Sequence, residues 1–395
     1  MHYLDNISSG AIVVIRDRLM AMQAKGKKIY RLESGDPNFD VDPGVAAAMV
    51  GALNSGQTHY TPSAGVSHMR EAVVHKMEAE NGVRTNVDDV TITSGGMHAL
   101  YLTFCALLDS GDEVIIPDPM WTEIGENIKL AFGNPVRVSM DLGSNDYPYP
   151  PDMIEKSITA KTKAIFINTP HNPTGKLIPE ENLKAILRIA EKHNLHVISD
   201  EAYEHLVFDG LKHNSFASLP GAYERTISLY SCSKSYAMSG LRVGYIVGPN
   251  KNGFQDRVRK LLRCTTNGVN SLAQYGAAYA MGMAPVFSYK MRDEYRTRRD
   301  ILVSALRKSG LFEPTVPDGS FFVWAKISND WCDGRISPDW DMTNYLIDNY
   351  GIGSAPGSAF SAPGSSVSDG FLRFSFSSST PVIESASSIL SSLGG

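Results

Sequence analysis

Short apolar runs rich in β-branched residues alternate with longer amphipathic segments through the centre of the chain. Five runs predict strands: DVTIT (89–93), DEVIIPDP (112–119), KAIFINTP (163–170), LHVISD (195–200) and TISLYSCSK (226–234). The segments between them include three predicted helices: GGMHALYLTFCALL, WTEIGENIKLAFG and PEENLKAILRIAEKHN. Because strands separated by helices form covered parallel sheets, we expect an α/β fold with a mostly parallel central sheet and helices on both faces.

The last hundred or so residues follow a different pattern. A long helical stretch (285–309) leads to the β-rich runs GSFFVWAKI (319–327) and FLRFSFS (371–377), and a terminal helix follows. Gly, Ser and Pro crowd the segment APGSAFSAPGSS (355–366), which predicts a loop. We therefore expect a large domain over residues 46–284 and a smaller α+β domain built from residues 1–45 and 285–395.

Composition narrows the class of protein. The chain has 395 residues, of which 43% are hydrophobic and 20% charged, as is usual for a globular protein. A formal net charge of −5 offers no basic surface for nucleic acid and no polybasic segment for a membrane. No apolar run approaches a membrane span, and MHYLDNISSG does not resemble a signal peptide, so we expect a cytoplasmic protein.

The four cysteines give no sign of a disulfide framework or a metal site. Cys105, Cys232, Cys264 and Cys332 are widely spaced and form no CxxC pair. The ten histidines do not cluster at metal-ligand spacing either. We expect no bound metal.

Chemically distinctive residues follow the predicted strands. Gly95-Gly96, Trp121, Asn172, Asp200 and Lys234 each come at or after the carboxyl end of a run. Open α/β sheets bind ligands in the crevice outside the carboxyl ends of their strands. These groups therefore predict one shared site.

Lys234 and Arg242 stand close together in SCSKSYAMSGLRVGY (231–245). A lysine after a buried strand is usually a surface residue, but among small hydroxylic residues it can form a Schiff base with a carbonyl cofactor. Arg242 offers the fixed fork of donors that suits a phosphate, against the alternative of a surface ion pair. The pair Gly95-Gly96 opens a helix, where backbone N–H groups favour an anion, although it also fits an ordinary tight turn.

Four further residues have both a structural and a functional interpretation. Pro173 restricts Asn172 to an extended or turn conformation, which fixes its amide for a ligand or only for the turn. Asp200 ends an apolar strand and needs a partner there, unless it caps the following segment. Arg373 lies in a β-rich run and faces either solvent or a carboxylate. Trp121 is either a core aromatic or a stacking platform for a planar ring.

Taken together, the motifs resemble the fold-type I, class I/II aminotransferases that use pyridoxal phosphate (PLP). The resemblance runs in order through ESGDPNFD, HYTPSAG, NTPHNPTG, SDEAYEHLVFDG, SCSKSYAMSGLRVGY and FLRFSF, and it covers nearly the whole chain. It implies that residues 46–284 bind PLP. It also implies transfer of an amino group from an L-amino acid to a 2-oxo acid, through a lysine Schiff base and pyridoxamine phosphate.

The resemblance assigns the reactive end of the site. Lys234 is similar to the Schiff-base lysine and proton shuttle, and Asp200 to the partner of the pyridine nitrogen. Asn172 and Tyr203 are similar to the donors to the ring's phenolic oxygen. Trp121 is similar to the stacking ring. Lys234, Asp200 and Tyr203 are therefore the expected catalytic residues.

The resemblance also assigns the phosphate and substrate contacts. The phosphate would be held by the residues Gly95, Gly96, Met97, Ser231, Ser233 and Arg242. Tyr60 in HYTPSAG would reach the phosphate of the neighbouring subunit, which implies a homodimer with shared active sites. Arg373 would hold the substrate α-carboxylate, with Gly35, Trp121 and Asn172 also in contact with the substrate.

The chain departs from the family at two positions. Bacterial aspartate aminotransferases similar to it carry a lysine after the glycine pair, where this chain has Met97, and a threonine where it has Ala11. Both changes remove polar contacts to a distal carboxylate. We therefore expect a neutral, apolar or basic substrate side chain. The same fold and lysine also serve lyases, cyclases and oxidases that act on amino acids, and the cofactor motifs do not separate these from an aminotransferase.

Overall fold

The computed structural model describes residues 2–8, 10–142, 149–283, 285–335 and 337–393. The helices are α1 Ala11–Ala24, α2 Pro43–Asn54, α3 Ser67–Ala79, α4 Gly96–Leu107, α5 Thr122–Leu130, α6 Pro151–Lys156, α7 Glu180–Lys192, α8 Cys232–Ser235, α9 Phe254–Thr265, α10 Ser271–Gly282, α11 Val286–Lys308, α12 Asn329–Cys332, α13 Pro338–Tyr350 and α14 Thr380–Ser391. The strands are β1 Tyr30–Arg31, β2 Val90–Thr93, β3 Glu113–Asp118, β4 Asn134–Ser139, β5 Thr162–Asn168, β6 His196–Asp200, β7 Thr226–Ser231, β8 Gly244–Val247, β9 Phe312–Pro314, β10 Phe322–Ile327, β11 Ile352–Gly353, β12 Ala355–Pro356 and β13 Phe371–Ser375.

A seven-stranded sheet organises the centre of the molecule. Its strand order is β2-β8-β7-β6-β5-β3-β4, and β8 runs antiparallel to both of its neighbours while the other pairs are parallel. Alternate residues enter different cores: Val114 and Phe166 join one cluster, whereas Ile115 and Ile165 join another. The expected mostly parallel sheet, covered on both faces, is confirmed.

The five strands predicted from the sequence are β2, β3, β5, β6 and β7, and two more strands were missed. Strand β4 (NPVRVS) contains a proline and an arginine and lies at the sheet edge, so it lacks the apolar run that marks a buried strand. Strand β8 follows the turn that contains Arg242, and its antiparallel direction is set by tertiary pairing with β2 and β7.

A second sheet, of order β12-β13-β10-β9, is antiparallel and packs with α11 and α14 around its own core. The predicted loop at 355–366 is wrong at its start, because Ala355–Pro356 forms β12 against β13. The N-terminal segment joins this part of the molecule, since β1 pairs with β11. The domain boundaries at residues 45/46 and 284/285 stay a prediction.

Across the described ranges, no helix has both the length and the apolar character needed to cross a bilayer.

A buried ion pair ties α3 to the segment that follows β6. Lys76 contacts the carboxylate of Glu204 and donates to Asn81 Oδ1 at 2.8 Å. Its Nζ also lies 4.5 Å from the centroid of the Tyr230 ring. Removing one partner of a buried ion pair leaves an uncompensated charge, which costs far more than the pair itself contributes.

We expect Lys76→Met to lower the free energy of unfolding by about 3–5 kcal/mol, because Glu204 would keep a buried charge without its cation. Urea unfolding followed by circular dichroism, at one protein concentration, measures the change. The control is Lys184→Met on α7, where a lysine side chain that is 40% exposed pairs with Glu180. That variant should change the free energy by less than about 0.5 kcal/mol. Equal shifts in the two variants would contradict the assignment.

Candidate active site

A cavity of ≈ 390 Å³ opens where the carboxyl ends of the parallel strands meet the second sheet. Most of the residues predicted from the sequence line it: Gly35, Gly96, Met97, Trp121, Asn172, Asp200, Tyr203, Ser231, Ser233, Lys234, Arg242 and Arg373. Gly95 lies directly behind this lining, against Arg242. Tyr60 is 88% exposed and lies outside the cavity of its own chain.

Lys234 lies one turn beyond its strand. Strand β7 ends at Ser231, and Lys234 belongs to the short helix α8, so the predicted strand to residue 234 is three residues too long. Ser231 caps this turn by accepting from the Ser233 N–H at 3.3 Å. Lys234 Nζ donates to the carbonyl of Gly35 at 2.5 Å. Burial lowers the pKa of Lys234 to about 8, so a neutral amine is accessible near physiological pH.

Asp200 is the last residue of β6 and is buried. Its carboxylate accepts a backbone hydrogen bond from Ala202 at 3.1 Å. Burial raises the pKa of Asp200 to about 7, and the neighbouring charge of Glu201 acts in the same direction. A buried carboxylate with so little compensation is stabilised by a cation brought in by a ligand.

Asn168, which the sequence analysis did not single out, holds two predicted residues in place. Its side chain accepts from the Asn172 backbone N–H at 2.8 Å and donates to the carbonyl of Asp200 at 3.1 Å. The side-chain nitrogen of Asn172, Nδ2, has no hydrogen-bond partner among the described residues and is available to a ligand. Burial raises the pKa of Tyr203, so its phenol stays protonated and can donate a hydrogen bond.

Close backbone packing shapes the other end of the cavity into an anion cradle. Gly95 has φ +85°, and a Cβ there would lie 2.5 Å from Arg242 Nη2. A Cβ on Gly244 would lie 2.7 Å from the backbone carbon of Gly95 and 2.8 Å from the nitrogen of Gly96. The guanidinium of Arg242 donates to the carbonyl of Ser239 at 2.9 Å. An arginine beside the free N–H groups that begin α4 suits a phosphate.

Arg373 lies on β13 at the opposite wall and is buried between the rings of Phe322 and Phe360. It donates to Asn172 Oδ1 at 2.8 Å and to the carbonyl of Glu33 at 2.9 Å. Its Nε is buried without a hydrogen-bond partner, and no carboxylate of the described residues pairs with it. A buried guanidinium with an unused donor is suited to a carboxylate from a ligand.

The cavity also contains residues that were missed. Glu123 lies in the first turn of α5, two positions after Trp121, and its place in a helix that starts beside a strand end was the available signal. Ile12 and Val13 come from α1. Nothing in the sequence pattern marks them, because only tertiary packing brings α1 to the cavity.

Comparison with known proteins identifies the family. Residues 27–389 match the sequence profile of "Aminotransferase class I and II". The chain belongs to this family. The aspartate aminotransferase of Geobacillus stearothermophilus is 32% identical over 384 residues, which cover 96% of this chain and 95% of that protein. The expected aminotransferase activity is confirmed.

Solved structures of the family agree with the architecture. The aspartate aminotransferase from Thermus thermophilus with maleate superposes with a TM-score of 0.91 at 30% identity, covering 100% of this chain and 99% of that chain. An aromatic aminotransferase from Pyrococcus horikoshii gives a TM-score of 0.86 at 30% identity, covering 94% and 97%. The expected fold class is confirmed, while the names of these two structures indicate different substrates.

We expect Gly244→Ala to weaken phosphate binding by this aminotransferase at least about 10-fold, because the new methyl group would push the backbone of Gly95 and Gly96 out of the cradle. Calorimetric titration of the apoprotein with inorganic phosphate measures the loss. The control is Gly240→Ala, since a Cβ there meets no atom within 4 Å. Unchanged phosphate affinity in Gly244→Ala would contradict the cradle.

Proposed function

We propose that this aminotransferase uses pyridoxal 5′-phosphate to move the amino group of an L-amino acid to a 2-oxo acid. One observation carries the proposal: a lysine of lowered pKa through burial, a poorly compensated carboxylate and an anion cradle line one cavity. These groups fit the aldehyde, the ring nitrogen and the phosphate of PLP. When bound, PLP supplies an electrophilic aldehyde and a ring that takes up electrons as a bond to the α-carbon breaks.

The residues around the ring set its protonation. Asp200 would accept a hydrogen bond from the ring nitrogen and keep that nitrogen protonated. The positive charge of the ring would in turn offset the free-energy cost of burying the Asp200 carboxylate. Asn172 and Tyr203 would donate to the phenolic oxygen, and Trp121 would stack against the ring. The cradle, with Gly95, Gly96, Met97, Ser231, Ser233 and Arg242, would hold the phosphate.

Two residues act on the substrate. Arg373 would bind the α-carboxylate through its unused Nε and neighbouring donors, and so orient the α C–H bond. Lys234 would remove the α-proton and return it at the cofactor carbon, for which a neutral amine is required. Burial supplies that amine by lowering the pKa of Lys234 to about 8. Gly35, whose carbonyl accepts a hydrogen bond from Lys234, would lie beside the substrate.

We expect the PLP-loaded enzyme, mixed with single amino acids and no acceptor, to lose its visible band and release one 2-oxo acid per site. Stopped-flow absorbance and product analysis measure this half-reaction. Lys234→Ala should slow it by about 10³-fold or more, because the proton carrier is lost. Lys176→Ala is the control, since Lys176 pairs with Asp318 outside the cavity. Repeated turnover with ammonia or a cyclised product would instead indicate a lyase, cyclase or oxidase.

We propose in addition that the enzyme is a homodimer with shared active sites. Tyr60 is a large aromatic side chain, 88% exposed and outside its own cavity, as expected for a residue that reaches the phosphate in the partner. We also propose the domain boundaries at residues 45/46 and 284/285 and a cytoplasmic location. No nucleic acid or membrane partner is expected from the net charge of −5.

Mixing two inactive variants tests the shared site. A heterodimer of Lys234→Ala and Tyr60→Ala would contain one site with both residues intact, because each site takes its lysine and its tyrosine from different chains. We expect random mixing to restore about one quarter of the wild-type activity measured at limiting PLP. Steady-state assays after reversible dissociation measure it, with each variant alone as control. If the mixture has only the average activity of the two unmixed variants, Tyr60 does not act across the subunit interface.

A further inference from the structure

The charges that line the active cavity differ in whether they have partners. Arg16 pairs with Asp17 at 3.1 Å, and Arg31 pairs with Glu33. Arg31 is therefore compensated by a buried carboxylate, whereas the Arg16–Asp17 pair is exposed and screened by solvent. Arg242, Lys234, Asp200 and Arg373 are engaged by the cofactor and the substrate α-carboxylate in the function proposed above.

Glu123 differs from these groups. Its carboxylate accepts a hydrogen bond from the Thr122 hydroxyl at 2.8 Å, and no lysine, arginine or histidine of the described residues forms an ion pair with it. Burial raises the pKa of Glu123, although Thr122, its own N–H and Arg373 partly offset the effect. A cation brought in by the substrate would stabilise the ionised form.

Asn127 connects the backbone of Glu123 to Met97, the residue that departs from the family pattern. Asn127 donates to the backbone carbonyl of Glu123 at 2.8 Å and contacts Met97 Sδ at 3.3 Å. Apolar residues line the same cavity: Ile12, Val13, Met97, Leu100 and Trp121. The cavity thus combines an apolar surface with Glu123, a partly buried carboxylate that forms no ion pair with the described residues. Asp36 also lines the cavity without an ion pair, but it is exposed to solvent.

We propose that the preferred amino donor of this enzyme is a basic L-amino acid, whose ammonium or guanidinium group binds Glu123. The methylene stem packs on Met97 and Ile12 while Arg373 holds the α-carboxylate. An acidic side chain is excluded, because its carboxylate would approach Glu123 and find a thioether at Met97. This inference rests on the aminotransferase function proposed above.

The first test compares amino acids on the wild-type holoenzyme. L-lysine, L-ornithine, L-arginine, L-norleucine and L-aspartate are each mixed with the loaded enzyme, and the rate of loss of the visible band is measured against concentration. We expect the specificity constant of the best basic donor to be about 30-fold higher than that of norleucine, whose side chain is uncharged. It should be more than about 100-fold higher than that of aspartate.

The second test uses Glu123→Gln, which keeps the shape of the side chain and removes its charge. We expect the specificity constant for the basic donor to fall by about 30- to 100-fold while that for norleucine changes by less than about 3-fold. Glu126→Gln is the matched control, since Glu126 lies one turn along α5, pairs with Lys129 and does not line the cavity. It should leave both constants within about 3-fold of wild type.

The outcomes separate this inference from the function on which it rests. Faster conversion by aspartate or norleucine than by any basic donor would overturn the substrate class and leave the aminotransferase function standing. An equal loss for lysine and norleucine in Glu123→Gln would also overturn it, since the residue would then have only a structural role. If no amino acid converts the visible band, the proposed PLP-dependent function fails, and the inference fails with it.

Discussion

The site depends on keeping ionisable side chains buried with incomplete compensation from the protein. Burial raises the pKa of Asp200 to about 7, lowers that of Lys234 to about 8, and leaves Arg373 Nε without a partner. Such groups destabilise a folded chain unless the surrounding structure holds them in place. The seven-stranded sheet meets this requirement for Asp200, because β6 is paired on both sides and packs against a core on each face. In the second sheet, β13 carries Arg373 and is paired with β10 and β12.

The segment after β6 shows how one strand end serves two purposes. Asp200 and Tyr203 line the cavity, whereas Glu201 points into a polar cluster behind it. Glu201 accepts hydrogen bonds from Ser199, His213, Ser215 and Tyr230 at 2.6–3.0 Å. Burial would raise the pKa of Glu201, but these donors outweigh it and lower the pKa, so the carboxylate stays ionised. That fixed charge disfavours a second anion at Asp200 and favours a cation beside it.

Sequence reasoning predicted residues that meet in one cavity because the chemistry proposed for them needs particular residue types near strand ends. Lys234, Asp200 and Arg242 stand in such motifs, and the sheet brings them together. It missed what tertiary packing decides. Strand β8 is only four residues long, and its antiparallel place between β2 and β7 is decided by tertiary pairing. Ile12 reaches the cavity only because α1 packs there. Even Lys234 lies in α8 rather than on its strand, since a capped turn continues where the pairing ends.

Substrate selection has fewer determinants than cofactor binding. In the proposed function Arg373 would recognise the α-carboxylate, which every α-amino acid carries, so it would orient the donor without distinguishing one side chain from another. Discrimination therefore falls to positions contributed by α1, α4 and α5, among them Ile12, Met97 and Glu123. In a cavity of ≈ 390 Å³, the thioether of Met97 carries no charge and the carboxylate of Glu123 forms no ion pair with the described residues, which favours the cationic side chain inferred above. The residues proposed to carry the reaction and those proposed to select the side chain can thus vary independently.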